Sequence, residues 1–185
     1  MTAADPRDAL IAHLPALRAF ALSLARNGTA ADDLVQETIL KAWSGFDRFQ
    51  QGTNLRAWLF TILRNCFYTE LRKRRREVSD SDGVYAARLV QKPDHDGTLA
   101  MRDFEVAFEK LIVEQREALA LVGALGFSYE EAAATIGCAL GTVKSRVNRG
   151  RQRLAELLFL AEGASILSVD AAQVAASNAQ ASLHG

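Results

Sequence analysis

Ser128-Tyr129-Glu130-Glu131 is the stretch that most narrows what this chain can fold into. A Ser followed three residues later by Glu forms a capping box, in which the Ser128 hydroxyl accepts from the Glu131 amide and the Glu131 carboxylate accepts from the Ser128 amide. A short helix over Tyr129 to Ile136 is expected behind it. Gly137 suits the left-handed residue that ends a helix, and a second helix is expected from about Leu140 to Leu160. Two helices joined through the short turn from Gly137 to Leu140 make a helix-turn-helix.

At 100 degrees per residue, Leu140, Val143, Val147, Gly150, Leu154 and Leu157 fall in one stripe of the second helix, the side a core would take. Ser145, Asn148 and Gln152 lie opposite, flanked by Lys144 and Arg149, with Arg146, Arg151 and Arg153 at the borders. Short polar groups ringed by cations suit a major-groove reading helix: polar side chains meet base edges, and Arg or Lys meets the backbone. Most charged helix faces are simply solvated. Here no acidic residue stands between Thr142 and Ala155 to neutralise the run, which favours a polyanionic partner.

The rest of the chain is also helical in pattern, and no segment reads as a strand. Glycine and proline punctuate it into stretches of about 10 to 20 residues. The fold class is therefore all-α: two small helical domains joined by a flexible linker. The linker is placed at residues 79–98, where Gly83, Pro93 and Gly97 interrupt a run of Asp and Ser. Residues 1–78 then form one domain, 99–161 the other, and 162–185 an Ala- and Ser-rich tail without aromatics.

In the first domain, Thr29 is expected to cap a helix from Ala30 to Trp43 whose core face is Ala31, Leu34, Val35, Thr38 and Ala42. Its other side carries Asp33, Gln36, Glu37 and Leu40, an acidic surface around a leucine that fits a protein partner bearing basic residues. Thr53 or Asn54 starts a longer helix, Leu55 to Arg76, that contains Trp58, Phe60, Phe67 and Tyr68 and ends in Arg72, Lys73, Arg74, Arg75 and Arg76. Aromatics beside a cationic helix are core material first, and also what capture of unstacked bases requires. Asn65 is the polar group singled out among them; a surface or capping Asn is an equally good reading of it.

Composition excludes several classes. The 22 Lys plus Arg balance 22 Asp plus Glu, so the chain is neither uniformly basic nor uniformly acidic. The charges are segregated: residues 1–76 carry an excess of five positive charges, 77–140 an excess of seven negative ones, and 141–185 an excess of two positive ones. Two separate contacts with a polyanion follow as a working expectation. No apolar run is long enough to span a bilayer and no leader is evident, so a cytoplasmic location is expected. Cys66 and Cys138 are isolated and read as reduced structural thiols. No paired carboxylates, Cys/His pair, phosphate loop or metal-ligand spacing emerges; neither catalysis nor a cofactor is expected.

With these residues assembled, the chain resembles the extracytoplasmic-function (ECF) group of sigma-70 factors. DDLVQETILKAW (32–43) is similar to the family's polymerase-binding helix in region 2. LRAWLFTILRN (55–65) with the basic run behind it resembles the minus-10 element, and FSYEEAAATIGCALGTVKSRVNRGRQRL (127–154) the region 4 helix-turn-helix. FQQGTNLRAWLFTILRNCFYTELRKRRREVSDSDG (49–83) and QREALALVGALGFSYEEAA (115–133) are similar to the EcfG-type factors of the general stress response. Ile112 and Val113 depart from a frequent Leu-Pro start, which puts the capping of the region 4 helices in question. Gly150 stands in place of a common Ala, which lowers helix stability by up to about 1 kcal/mol.

The resemblance implies a dissociable initiation subunit, not an enzyme. Asp33, Gln36, Glu37 and Leu40 would dock on core RNA polymerase. Lys144, Ser145, Arg146, Asn148, Arg149 and Arg151 would bind the minus-35 promoter duplex. Asn65, Phe67, Tyr68 and Arg72 to Arg76 would bind the minus-10 element, coupling base extrusion to melting. A small anti-sigma protein would be the inhibitor. A sigma-like mimic that sequesters such an inhibitor, or a helix-turn-helix repressor, remains the alternative.

Overall fold

The computed structural model of the chain describes residues 6–50, 52–80 and 99–158. Every regular element among them is helical. A 3-10 stretch, Pro6–His13, leads into α1 (Leu14–Ala25) and α2 (Gly28–Ser44); a 3-10 turn, Phe46–Arg48, precedes the long α3 (Leu55–Asp80). The second unit comprises α4 (Leu99–Glu109), α5 (Val113–Leu119), a π-helical turn over Ala120–Ala124, α6 (Tyr129–Ile136) and α7 (Leu140–Leu157). The expected linker at 79–98 falls almost wholly, and the tail wholly, outside the described residues. None of the described helices is long and apolar enough to cross a membrane.

The caps account for most element boundaries. The box at Ser128 forms as expected: Ser128 Oγ accepts from the Glu131 amide at 3.0 Å, and Glu131 Oε2 accepts from the Ser128 amide at 2.9 Å. Gly137 closes α6 at φ 73, a conformation that costs a side-chain-bearing residue steric strain. Helix α2 starts two residues earlier than expected, because Asn27 rather than Thr29 is its cap: Asn27 Oδ1 accepts from the Ala30 amide at 2.9 Å. Asn54 caps α3 in the same way through the Ala57 amide, and the helix continues past Arg76 to Asp80. At α5 the departure at Ile112 and Val113 leaves an extended Ile112 with no side-chain cap.

Gly150 carries a packing role beside the helix cost assigned to it. A Cβ there would lie 2.7 Å from Leu119 Cδ1 and 3.2 Å from Leu119 Cγ. The missing side chain lets α7 approach α5 this closely, so the intrinsic helix penalty is set against tight packing in the core of the second unit.

The two helical units share one interior. Phe20 of α1 packs on Phe60 of α3 at 5.2 Å between ring centroids, and Phe60 in turn on Phe127 at 5.0 Å. Phe20 and Phe60 are fully buried and Phe127 nearly so, and each such side chain contributes roughly 1.5–3 kcal/mol by leaving water. The aromatic contact thus runs from the middle of the first unit into the second. Helix α1 touches α5, and α3 touches α6.

Candidate nucleic-acid and protein interfaces

Three surfaces and one internal junction carry the chemistry. On α7, Val143, Val147, Gly150 and Leu154 are buried against α5 and α6, while Lys144, Ser145, Asn148, Arg149 and Gln152 are exposed. Packing of the buried stripe on α5 and α6 sets which side of α7 is exposed. Among the described residues neither Lys144 nor Arg149 forms an ion pair; Arg153 pairs with Glu156 at 2.7 Å. Arg146 sits between the exposed and the buried side of α7. It is half-buried, one of its terminal nitrogens has no hydrogen-bond partner, and its charge acts on the buried Glu117.

On α2, Asp33, Gln36, Glu37 and Leu40 are all exposed, with Leu40 at 64%, while Ala31, Leu34, Thr38 and Ala42 face inward. The inward Thr38 hydroxyl is satisfied by donating to the Leu34 carbonyl at 2.7 Å. Glu37 pairs with Lys41 one turn on, at 2.7 Å. Lys41 also reaches Cys66 Sγ at 3.4 Å. Burial, reinforced by the Glu37 charge, pushes the Cys66 thiol above its ordinary range, as befits an unreactive structural cysteine.

On α3 the expected minus-10 residues do not form one pocket. Asn65 is exposed. Phe67 and Tyr68 are half-buried and meet edge to face at 5.2 Å. Phe67 lines a groove of about 490 Å³ between α2, α3 and the start of α5, floored by Leu34 and Leu71 and walled by Asp33, Glu37, Arg74 and Arg75. Tyr68 instead turns to the second unit. In the basic run, Arg72 donates to the Tyr68 carbonyl at 3.1 Å and Arg74 pairs with Glu70 at 2.9 Å; Lys73, Arg75 and Arg76 are exposed.

The junction between the units brings Phe60 and Tyr68 together with Arg56, Arg64, Arg116 and Glu117, which the sequence did not single out. Arg56, Phe60, Arg64 and Tyr68 recur every fourth residue along α3 and form a slowly winding stripe facing the second unit. Arg56 donates to the Leu125 carbonyl and lies over the Phe127 ring, 4.5 Å from its centroid. Arg64 Nε donates to Glu117 Oε1 at 2.6 Å and Tyr68 Oη donates to Glu117 Oε2 at 3.3 Å. Glu117 has no exposure at all, Arg64 retains 22%. Burial drives the Glu117 carboxyl upward from its ordinary value against the opposing pull of Arg64, and burial followed by the Glu117 charge pushes Tyr68 up to about 12.

Beside this pair, the buried Arg116 reaches across to the end of α1, donating to the Ser23 carbonyl at 2.8 Å and the Leu24 carbonyl at 3.2 Å, and to Leu111 within its own unit. A helix end leaves its last carbonyls unpaired and partly negative; a guanidinium from the other unit satisfies two of them. Burial and the nearby Arg26 lower the Arg116 pKa from its ordinary value. Two adjacent charges inside the apolar run around residues 111–125 were the available signal for this junction, since charged groups in a core require partners.

Comparison with known proteins matches the same two units. The sigma-70 region 2 family model covers residues 10–77 and the sigma-70 region 4 model residues 101–154. The chain is 58% identical to the ECF RNA polymerase sigma factor EcfG of Rhodopseudomonas palustris, over 83% of this chain and 85% of that protein. It is 38% identical to a probable RNA polymerase sigma-C factor of Mycobacterium bovis, over 68% of each. Among solved structures it is similar to the sigma factor RpoE of Bartonella quintana in complex with the anti-sigma factor NepR, at 56% identity and a TM-score of 0.75, covering 83% of this chain and 96% of that one. It also resembles CnrH in complex with the cytosolic domain of CnrY, at 28% identity and a TM-score of 0.58, over 82% and 85% of the two chains. With region 2 and region 4 each matched in order, and a relative of this identity over most of its length, the chain belongs to the ECF sigma-70 factors as a homologue of EcfG.

Proposed function

We propose that the protein binds core RNA polymerase in the cytoplasm and directs it to promoters of the general stress response, under the control of a small anti-sigma protein. The observation that carries this reading is the pairing of an unneutralised cationic helix face, Lys144 to Arg149, with an exposed acidic face around Leu40 on a different unit. Lys144, Ser145, Asn148, Arg149 and Arg151 contact the minus-35 duplex, the cations on phosphates and the short polar groups on base edges. Asp33, Gln36, Glu37 and Leu40 dock on the polymerase. Asn65 contacts an extruded minus-10 base while Arg75 and Arg76, with their neighbours, follow the strand; contacts made only to an extruded base offset the unstacking cost of a few kcal/mol.

The residues divide functionally as 1–78, a linker over 79–98, 99–161 and a tail over 162–185, with the linker letting the two units adjust to promoter spacing. The groove beside Phe67 is the natural seat for an inhibitor helix, since it is walled by polymerase-facing Asp33 and Glu37 and an occupant there competes with polymerase. Co-purification from stressed and unstressed cells tests the scheme. Polymerase subunits under stress and a small inhibitor without it support the reading; neither partner under both conditions contradicts it. An inhibitor alone under both conditions favours a sequestering mimic.

A further inference from the structure

One side of α4 is apolar and belongs to neither the α7 nor the α2 surface. Met101, Phe104 and Phe108 stand at i, i+3 and i+7, which places them on the same side of the helix, and Ile112 follows beyond its end. Met101, Phe104 and Ile112 are exposed, at 53%, 41% and 60%. Phe104 and Phe108 stack at 5.8 Å between ring centroids. Beside them, against the end of α1, lies a groove of about 210 Å³ lined also by Leu22 and Arg26. Single exposed apolar residues are ordinary, but a strip of them along a groove marks a contact surface.

The groove also lacks a hydrogen-bond acceptor. Arg26 Nε is buried with no hydrogen-bond partner, and a terminal nitrogen of the same side chain reaches Glu109 only at 3.6 Å. An unpaired buried donor is costly. Glu105 and Glu109 line the groove with Arg26, so the occupant that suits it is apolar, nearly uncharged and able to offer a carbonyl oxygen.

The chain itself supplies such an occupant. Leu158 packs against the core just past α7, and the 27 residues 159–185 follow it. They carry Ile166, Leu167, Val169 and Val174 within nine residues, interrupted by a single charge, Asp170. Helix α7 touches α4, and the residues from 159 to 165 span up to about 25 Å when extended, which brings Ile166 within reach of the strip. A segment tethered in this way acts at an effective concentration on the order of millimolar, well above that of a second copy in dilute solution.

We propose that residues 166–174 dock on the strip formed by Met101, Phe104, Phe108 and Ile112 of the same molecule, with a backbone carbonyl of the segment accepting from Arg26 Nε. The segment lies beyond the region 4 match, which ends at residue 154, so this cover is separate from the helix-turn-helix. A segment docked in nine chains of ten slows the amide exchange that it covers about tenfold.

Two measurements on the full chain test the docking. In the first, Phe104 is replaced by the photoreactive p-benzoylphenylalanine, the dilute protein is irradiated, and fragment spectra locate the attached residue. A cross-link to 166–174 within one molecule supports the proposal. A cross-link to residues 81–98, a cross-linked dimer, or no attachment within 166–174 overturns it. In the second, hydrogen exchange over residues 101–112 is compared between the wild type and Ile166→Asp. Exchange about tenfold faster in the variant supports docking through the apolar segment, and equal rates overturn it. Circular dichroism identifies a variant that has lost its helices; Val169→Asp repeats the comparison at a second position, and the wild-type exchange and cross-link site remain decisive if neither variant folds.

Discussion

Asn54 and Glu131 each cap a helix of their own unit and also bind each other: Asn54 Nδ2 donates to Glu131 Oε1 at 2.9 Å. Each residue keeps another atom for its own helix: Asn54 Oδ1 accepts from the Ala57 amide, and Glu131 Oε2 accepts from the Ser128 amide. The start of α3 and the start of α6 are thereby tied at their first turns. Because both side chains are exposed or nearly so, the tie orients the units more than it stabilises them.

A double-mutant cycle of Asn54→Ala and Glu131→Ala measures that division. Each single change should cost about 1 kcal/mol through its lost cap. The coupling should stay below about 1 kcal/mol, as for other exposed polar pairs. Urea denaturation followed by helicity gives all four values.

Gly150→Ala tests packing against propensity. Helix propensity alone favours Ala by about 1 kcal/mol, but the new methyl group meets Leu119 at 2.7 Å, and overpacking a core costs about 1–3 kcal/mol. The melting temperature of Gly150→Ala should fail to rise, and that of Gly150→Val should fall clearly.

Tyr68 gives the junction a pH signature. Its neutral form is favoured in the folded chain, with the pKa raised from 10.0 to about 12, chiefly by burial. The stability this contributes is intact below pH 10 and is lost as pH rises toward about 12. Since the ring is only half-buried, solvent screening reduces the effect to about 1 kcal/mol. A phenolate absorbance titration should show an ionisation step near pH 12 that Tyr68→Phe abolishes, together with the loss of stability across that interval.

The helix-turn-helix was legible because its determinants are local: a Ser-Glu box, a glycine and a 3.6-residue stripe lie within about thirty residues. The acidic face of α2 was legible for the same reason, although Asn27, two residues before a plausible Thr29, took the cap. The junction was not legible, because Arg64 and Glu117 are 53 residues apart and neither helix alone shows that its charged residue turns inward. Arg146 illustrates the same limit. Angular position put it at the edge of the cationic face, and only the packed structure shows that it is half-buried and that its charge acts on Glu117. Gly150 was visible as a departure, but its worth depended on Leu119, which only the packed structure brings beside it.

The two surfaces should separate cleanly by mutation. Lys144→Ala and Arg149→Ala should each weaken binding to a minus-35 duplex and reduce its salt dependence by about one counterion, while leaving affinity for core polymerase intact. Asp33→Lys and Leu40→Ala should do the reverse. Loss of polymerase binding in the α7 variants contradicts the division of labour between the units.

Run-off transcription with purified core RNA polymerase on a stress promoter of the EcfG type tests the central claim most directly. A discrete transcript that starts at the promoter only when this chain is added, and that weakens with Arg149→Ala, is the predicted result. Core polymerase that yields no promoter-specific transcript in the presence of the chain, on this or any other such promoter, contradicts the account.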